Sequence, residues 1–161
     1  MASHKVSNVS HDHQLFQGIF KLQKMDNWAE YLRSIGQSEA KTKVSLKMDY
    51  YNSIVVKSSG KWILSTYVKM PHEPAAESKT SFYLDDEFEE SVLDGRACLV
   101  KFKLEDGNKL VAEQRCCTDE SQSSTIIREF LPDRMNVICI CGQVQATGVY
   151  VRCSPEELHH I

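Results

Sequence analysis

The segment STIIREF, residues 124–130, places an arginine where an inward-facing strand would carry an apolar side chain. β-Branched and aromatic residues favour strands. Strand side chains alternate between two faces, so Ile126, Arg128 and Phe130 share one face.

If that face looks inward, a permanently charged guanidinium is buried. Leaving it unpaired costs about 3–5 kcal/mol, by analogy with broken buried ion pairs. Arg128 is therefore a candidate anion-binding residue. The alternatives are an internal carboxylate such as Glu113, ordered water, or a solvent-facing position.

The rest of the sequence contains no arrangement typical of an enzyme. It has no nucleophile elbow, no glycine-rich phosphate loop and no cluster of metal ligands. His11, His13, His159 and His160 lie in polar terminal segments, and the acidic run 85–90 is typical of a solvated turn. We therefore expect a binding protein without catalytic residues, metal or cofactor.

Length and composition are those of one ordinary globular domain. The chain has 161 residues, of which 42% are hydrophobic and 25% charged. Its formal net charge of −3 gives no electrostatic reason to expect nucleic acid as a partner. The first residues include no apolar stretch and so do not resemble a secretory signal. We expect a cytoplasmic protein, with nuclear entry left open. The predicted boundaries are a polar tail over 1–14, a domain over 15–153 and a second tail over 154–161.

The six cysteines agree with a reducing compartment. No C-x-x-C pair occurs, and a disulfide scaffold is typical of shorter, secreted chains. A zinc site that includes Cys139 and Cys141 is the alternative, although C-x-C on an apolar strand is a poor ligand pair. We expect six reduced thiols, most of them small buried hydrophobes.

One short helical segment interrupts a chain of strands. Apolar side chains follow helical spacing at Trp28, Tyr31, Leu32 and Ile35. Asp26 or Asn27 is expected to cap this helix and Gly36 to end it. A second short helix, capped by Ser38, is predicted after it.

The remaining sequence predicts about ten short strands. LFQGIFKLQKM (15–25) precedes the helices, and nine more runs follow, with Ser59-Gly60, Asp94-Gly95 and Asp106-Gly107 as hairpin turns. CLVKFKLE alternates cleanly between apolar and charged residues. The pattern favours an all-β antiparallel sandwich or barrel. A closed up-and-down barrel is the better interpretation because nothing indicates a Greek-key crossover.

Four motifs in this order resemble the intracellular fatty acid-binding proteins. GIFKLQKMDNWAEYLRSIG (18–36) is similar to the family's opening G-T-W-K-L followed by N-F-D-x-Y-M-K-x-x-G. DEFEESVLDGR (86–96) looks like E-F-D-E-x-T-x-D-x-R, STIIRE (124–129) like T-T-x-x-R, and GVYVR (148–152) like R-V-Y-x-R. Phe20 stands where the family usually has tryptophan, and Trp28 stands where it usually has phenylalanine.

The resemblance implies a ten-stranded antiparallel up-and-down β-barrel, capped by a helix-turn-helix, that encloses a lipid. It further implies that Arg128 and Tyr150 hold the ligand carboxylate. The family's second arginine is replaced here by Gly148. The helical stripe at Trp28, Tyr31, Leu32 and Ile35 would close the cavity or line its portal.

The implied partner is a fatty acid or related hydrophobic small molecule, carried by a monomer that makes transient membrane contact. A retinoid- or bile-acid-like ligand in the same barrel is one alternative, because Gly148 replaces the family's second arginine. A protein-interaction module without lipid is another. A secreted lipocalin is disfavoured because the chain lacks G-x-W. The loop around Pro71 and Pro74 is longer than the family's usual hairpin and borders the implied portal.

Overall fold

The structure is a computed structural model that describes residues 14–92 and 96–159. Ten strands and three helices have the following bounds: β1 Gly18–Asp26, α1 Trp28–Ser34, α2 Glu39–Ser45, β2 Asp49–Val56, β3 Trp62–Lys69, β4 Ala76–Phe82, β5 Glu87–Val92, β6 Arg96–Glu105, β7 Lys109–Cys116, β8 Ser124–Phe130, β9 Arg134–Cys141, β10 Val144–Cys153 and α3 Pro155–His159. A 3-10 turn, Glu120–Gln122, precedes β8. The ten predicted strands are therefore confirmed, with small shifts at their ends.

All ten strands belong to one antiparallel sheet with the order β4-β3-β2-β1-β10-β9-β8-β7-β6-β5. Consecutive strands pair, and the first strand returns to pair with the last. The sheet curls into an up-and-down barrel, and α1 and α2, the helix-turn-helix of the cap, pack beside one another, with α1 also against β9 and β10. The predicted fold class is confirmed.

The two edges of the sheet, β4 and β5, meet through side chains. Thr80 on β4 donates a hydrogen bond to the carboxylate of Glu90 on β5. Phe82 and Phe88 stack with ring centroids 6.5 Å apart. These contacts cross a gap where the described backbone forms no ladder.

An aromatic cluster fills the barrel where β1 begins. Phe16 contacts Trp62 and Phe130 with ring centroids 5.2 and 4.9 Å apart. Its side chain is fully buried. Arg152 on β10 donates hydrogen bonds to the carbonyls of Leu15 and Gln17, which fastens this entry segment to the barrel. The strand predicted from residue 15 was too long, because residues 14–16 form a helical turn.

The helix caps follow the sequence prediction in one case of two. The Ser38 hydroxyl accepts from the backbone N–H of Lys41, as expected. Asn27 takes the N-cap position of α1 in the left-handed conformation, but its side chain makes no cap. It donates instead to the carbonyl of Gln145, so it joins the helix to β10.

The two predicted tails differ in what the structure describes. Residues 1–13 and 160–161 lie outside the described residues, so the N-terminal tail stays a sequence prediction. After β10 the chain continues as α3 within the segment predicted to be a tail. Among the residues that the structure describes, no helix is long and apolar enough to cross a membrane.

Candidate functional site

The inner wall of the barrel carries Arg128, as the alternation of β8 predicted. Ile126 packs against the buried core, and Phe130 at the end of β8 is fully buried. Arg128 lies between them on the same face. Its guanidinium is enclosed by protein, yet the residue retains part of its accessible surface. It therefore lines internal space and does not face bulk solvent.

Arg128 is a cation that makes no ion pair with any residue that the structure describes. Its Nε atom is buried and makes no hydrogen bond. Within the described residues, no carboxylate lies within ion-pair distance of its guanidinium. Burial lowers the pKa of Arg128, and the nearby groups of Tyr150, Cys139, Tyr31 and Glu90 oppose that shift to smaller extents. The site holds a positive charge that an entering anion would neutralise.

Tyr150 lies on the inner face of β10 within electrostatic range of Arg128. Its side chain is buried, and this burial raises the pKa of its hydroxyl well above the usual value. Tyr150 is consequently neutral at physiological pH, and its hydroxyl is available as a hydrogen-bond donor. The structure thus brings together the two residues that the resemblance selected.

The carboxylate that influences Arg128 differs from the one that the sequence suggested. Glu113 points outward from β7 and pairs with Lys103, with the Nζ and Oε1 atoms 2.8 Å apart. It was wrong as an internal partner for Arg128, because it alternates with the inward Ala112 and Gln114. Glu90 on β5 is the carboxylate that influences Arg128, although it hydrogen-bonds Thr80 and makes no ion pair with the arginine.

A row of inward positions crosses four strands at the level of Arg128. Arg128 on β8 is paired with Val137 on β9, and Val137 with Gly148 on β10. Gly148 in turn is paired with Met25 on β1. A Cβ atom added to Gly148 would lie 2.8 Å from Met25 Cε and 2.9 Å from Met25 Sδ. Met25, which sequence reasoning did not select, therefore covers the position where the second family arginine would project.

A β-bulge turns Met25 into the barrel. The register of β1 against β10 shifts between Leu22 and Lys24, where Gln23 is the additional residue. Phe20 and Leu22 face inward at even numbers, and strict alternation would put Met25 outside. A bulge commonly re-aims the side chains beyond it. No short sequence motif marks this bulge.

The predicted helical stripe packs on one end of the barrel. Tyr31, Leu32 and Ile35 are each about 1% exposed, whereas Trp28 is only partly buried and stacks on Tyr31. The Tyr31 hydroxyl donates to Ser124 Oγ over 2.9 Å. Ser124 in turn donates to Gln114 Oε1 over 3.1 Å. The cap is tied to the barrel wall by a polar chain as well as by apolar packing.

The thiols lie mostly inside the barrel, as predicted, with Cys117 exposed and Cys153 partly exposed. Cys139 is paired across strands with Ile126 and lies close enough to Arg128 to influence its pKa. Burial raises the pKa of Cys139 to about 11, against a smaller lowering effect of Arg128. In the described part of the chain, no group of three or more His, Cys, Asp or Glu side chains has the geometry of a metal site.

Fold and site together define a class: a ten-stranded barrel with a helical cap and an uncompensated internal cation. Curated relatives are similar to this chain over most of its length. The mouse protein "Cellular retinoic acid-binding protein 2" is 28% identical over 138 residues, which cover 85% of this chain and 97% of the relative. The muscle fatty acid-binding protein of Schistocerca gregaria is 28% identical over 136 residues, or 84% and 95% of the two chains.

A solved structure shares the fold. Apo lipid binding protein 8 of Caenorhabditis elegans superposes with a TM-score of 0.78 at 20% identity, covering 87% of this chain and 96% of that chain. No family model matches the sequence. The curated relatives agree with the resemblance to the intracellular fatty acid-binding proteins that the four motifs indicated, and the solved structure agrees with the fold.

Proposed function

We propose that this protein is a non-enzymatic carrier of a long-chain fatty acid or similar hydrophobic ligand, bound inside the barrel. The observation that carries the proposal is Arg128, a buried guanidinium with an unbonded Nε and no counter-ion among the described residues. A carboxylate is the planar anion that a guanidinium binds best, through two parallel hydrogen bonds. Tyr150 adds a neutral donor beside it.

The ligand tail would supply most of the affinity. Each methylene group moved from water into an apolar cavity contributes about 0.8 kcal/mol. Arg128 and Tyr150 would orient the head, and Trp28, Tyr31, Leu32 and Ile35 would close or line the entrance. A cytoplasmic location and a monomeric state fit such a carrier and are part of the proposal.

A retinoid is the second candidate ligand, favoured by relatives whose names include retinoic acid. Retinoic acid also ends in a carboxylate, so Arg128 and Tyr150 would have the same roles. The two candidates differ in the rigidity of the tail, and only direct competition between them decides.

Displacement of a polarity-sensitive dye from delipidated protein tests the proposal. The dye should brighten on binding and be displaced stoichiometrically by a long-chain fatty acid or by retinoic acid. Arg128→Gln should weaken the binding of a carboxylic acid by about 1.5–3 kcal/mol, the range for hydrogen bonds to charged groups. The same substitution should hardly affect the fatty alcohol of equal length.

Arg134→Gln is the matched control, because Arg134 is an exposed arginine on the neighbouring strand, with Nε 3.8 Å from Asp133. It should leave the affinity for both lipids unchanged. If folded wild-type protein neither binds the dye nor retains lipid in native mass spectrometry, the carrier function is wrong and a protein-interaction module is favoured. If Arg128→Gln lost equal affinity for the acid and the alcohol, the role of Arg128 in binding the carboxylate would be wrong and the carrier function would stand.

A further inference from the structure

Met25 and Gly148 form a contact at the head-group end of the barrel that the proposed function leaves unused. Met25 is partly buried and packs against the core cluster. The far end of its side chain lies over Gly148, at 2.8 Å from the place that a Cβ atom would take. Gly148 has no positive φ to explain its identity, and any side chain at this position would meet the end of Met25 and the carbonyl oxygen of Lys24.

The same row of positions contains Arg128 two strands away. Neighbouring strands lie about 4.8 Å apart, so Gly148 and Arg128 are about 10 Å apart across the wall. Long side chains from both positions could reach one ligand head. Beyond Gly148 in this row lies the uncharged thioether of Met25, so the ligand head would meet a cation at one position of the row and an apolar side chain at another.

We propose that Met25 is a specificity-determining residue: by covering Gly148 it keeps the head-group end singly charged, so that the barrel binds single-chain lipids with small neutral heads as well as carboxylic acids. This inference rests on the proposed carrier function. A site with two cations would reject neutral heads strongly, since each buried charge left unpaired is costly. With one cation, a neutral head that accepts a hydrogen bond from the guanidinium leaves only that one charge without an anion in the complex, so its penalty is smaller.

The experiment compares the dissociation constants of a C16 fatty acid, its alcohol and its primary amide. In the wild type the acid should bind about 10- to 100-fold more tightly than the alcohol. Met25→Arg adds the second cation from β1 without a change at Gly148. The acid-to-alcohol ratio should then rise at least ten-fold further. Met25→Ala/Gly148→Arg, which places the cation on β10 and removes the covering side chain, should give the same result.

A geometric pair of variants keeps the inference testable if the arginine variants do not fold. Gly148→Ala pushes the end of Met25 away, because the added Cβ would lie 2.8 Å from Met25 Cε and has the carbonyl oxygen of Lys24 at 3.3 Å. Its affinity for acid and alcohol should fall together by several-fold. Met25→Ala/Gly148→Ala should restore both affinities. Gln23→Arg is the matched control, because it adds the same charge on the exposed bulge of β1.

The outcomes separate the two claims. Wild-type protein that binds neither these three lipids nor retinoic acid refutes the carrier function. Wild-type protein that binds the acid more than 10,000-fold more tightly than the alcohol keeps the carrier and refutes the inference. An unchanged ratio of acid affinity to alcohol affinity in both arginine variants also refutes the inference. Equal lipid affinity in wild type and Gly148→Ala refutes it as well.

Discussion

The hydroxyl of Tyr31 on the first cap helix donates a hydrogen bond of 2.9 Å to Ser124, which begins β8 on the barrel wall. The two residues are 93 positions apart in the chain. Tyr31 is also stacked with Trp28, at 5.4 Å between ring centroids. One side chain thus combines aromatic packing within the cap with a buried polar link to the sheet.

Tyr31→Phe should loosen the cap. The lost hydrogen bond is expected to lower the free energy of unfolding by about 0.5–1.5 kcal/mol, with an added cost if Ser124 finds no new donor. Urea denaturation measures the stability, and stopped-flow fluorescence measures dye release, which should become faster. Tyr83→Phe is the control, since Tyr83 is 46% exposed between β4 and β5, away from the cap. Equal release rates in Tyr31→Phe and wild type would show that this bond does not hold the cap closed.

Replacement of Arg128 should stabilise the ligand-free protein while it weakens ligand binding. Replacement of buried ion pairs by apolar side chains of similar volume is neutral or stabilises by about 1–4 kcal/mol, and Arg128 makes no ion pair with a described residue. Arg128→Met should therefore raise the urea midpoint of delipidated protein. Arg134→Met, at an exposed site, should change stability by less than about 0.5 kcal/mol. A lower midpoint for Arg128→Met would mean that the guanidinium supports the empty barrel.

Cys139 should contribute to alkaline unfolding. Its pKa is raised from 9.0 to about 11 in the folded protein because burial disfavours the thiolate. The folded state therefore favours the neutral thiol. The associated stability, on the order of 2–3 kcal/mol, is fully present below pH 9 and is lost as pH rises through 11. Urea titrations at several pH values should show a shallower alkaline decline for Cys139→Ala than for wild type. Cys117→Ala, at the exposed thiol, should keep the wild-type slope.

The hydrogen bond between Thr80 and Glu90 should control how far the two edge strands separate. Thr80→Val removes the donor and should cost about 1.5–3 kcal/mol, the range for hydrogen bonds to charged groups. Amide hydrogen exchange should accelerate mainly in β4 and β5. Thr66→Val is the control, since Thr66 bonds Asn52 where the ladder between β2 and β3 is complete. Uniform acceleration over all strands in Thr80→Val would contradict a local role for the bond.

The strands were predictable because an antiparallel sheet with one covered face leaves a two-residue period and turn residues in the sequence. That period placed Arg128 inside correctly. Glu113 lies on the outer face of β7, between the inward Ala112 and Gln114, so the same period also predicts its position.

Two features of the site left no such signal. The bulge at Gln23 changes which residues of β1 face inward, so alternation over 15–25 assigns Met25 to the wrong face. Asn27 looks like a side-chain cap, but its amide has a better partner in Gln145, far along the chain. Both outcomes depend on the register between β1 and β10, which local sequence does not determine.

The pairing of β1 with β10 has a consequence for synthesis. Strands β1 to β4 and strands β5 to β10 form two runs of neighbours, and the ladder that joins the runs unites the first strand made with the last. On the ribosome, Phe20 must wait for Arg152, its partner in the ladder, to emerge. Until then β1 presents an unpaired edge, which is a site for association with other chains. Nascent chains cut short before β10 should therefore need chaperones, whereas the complete chain closes its own edge.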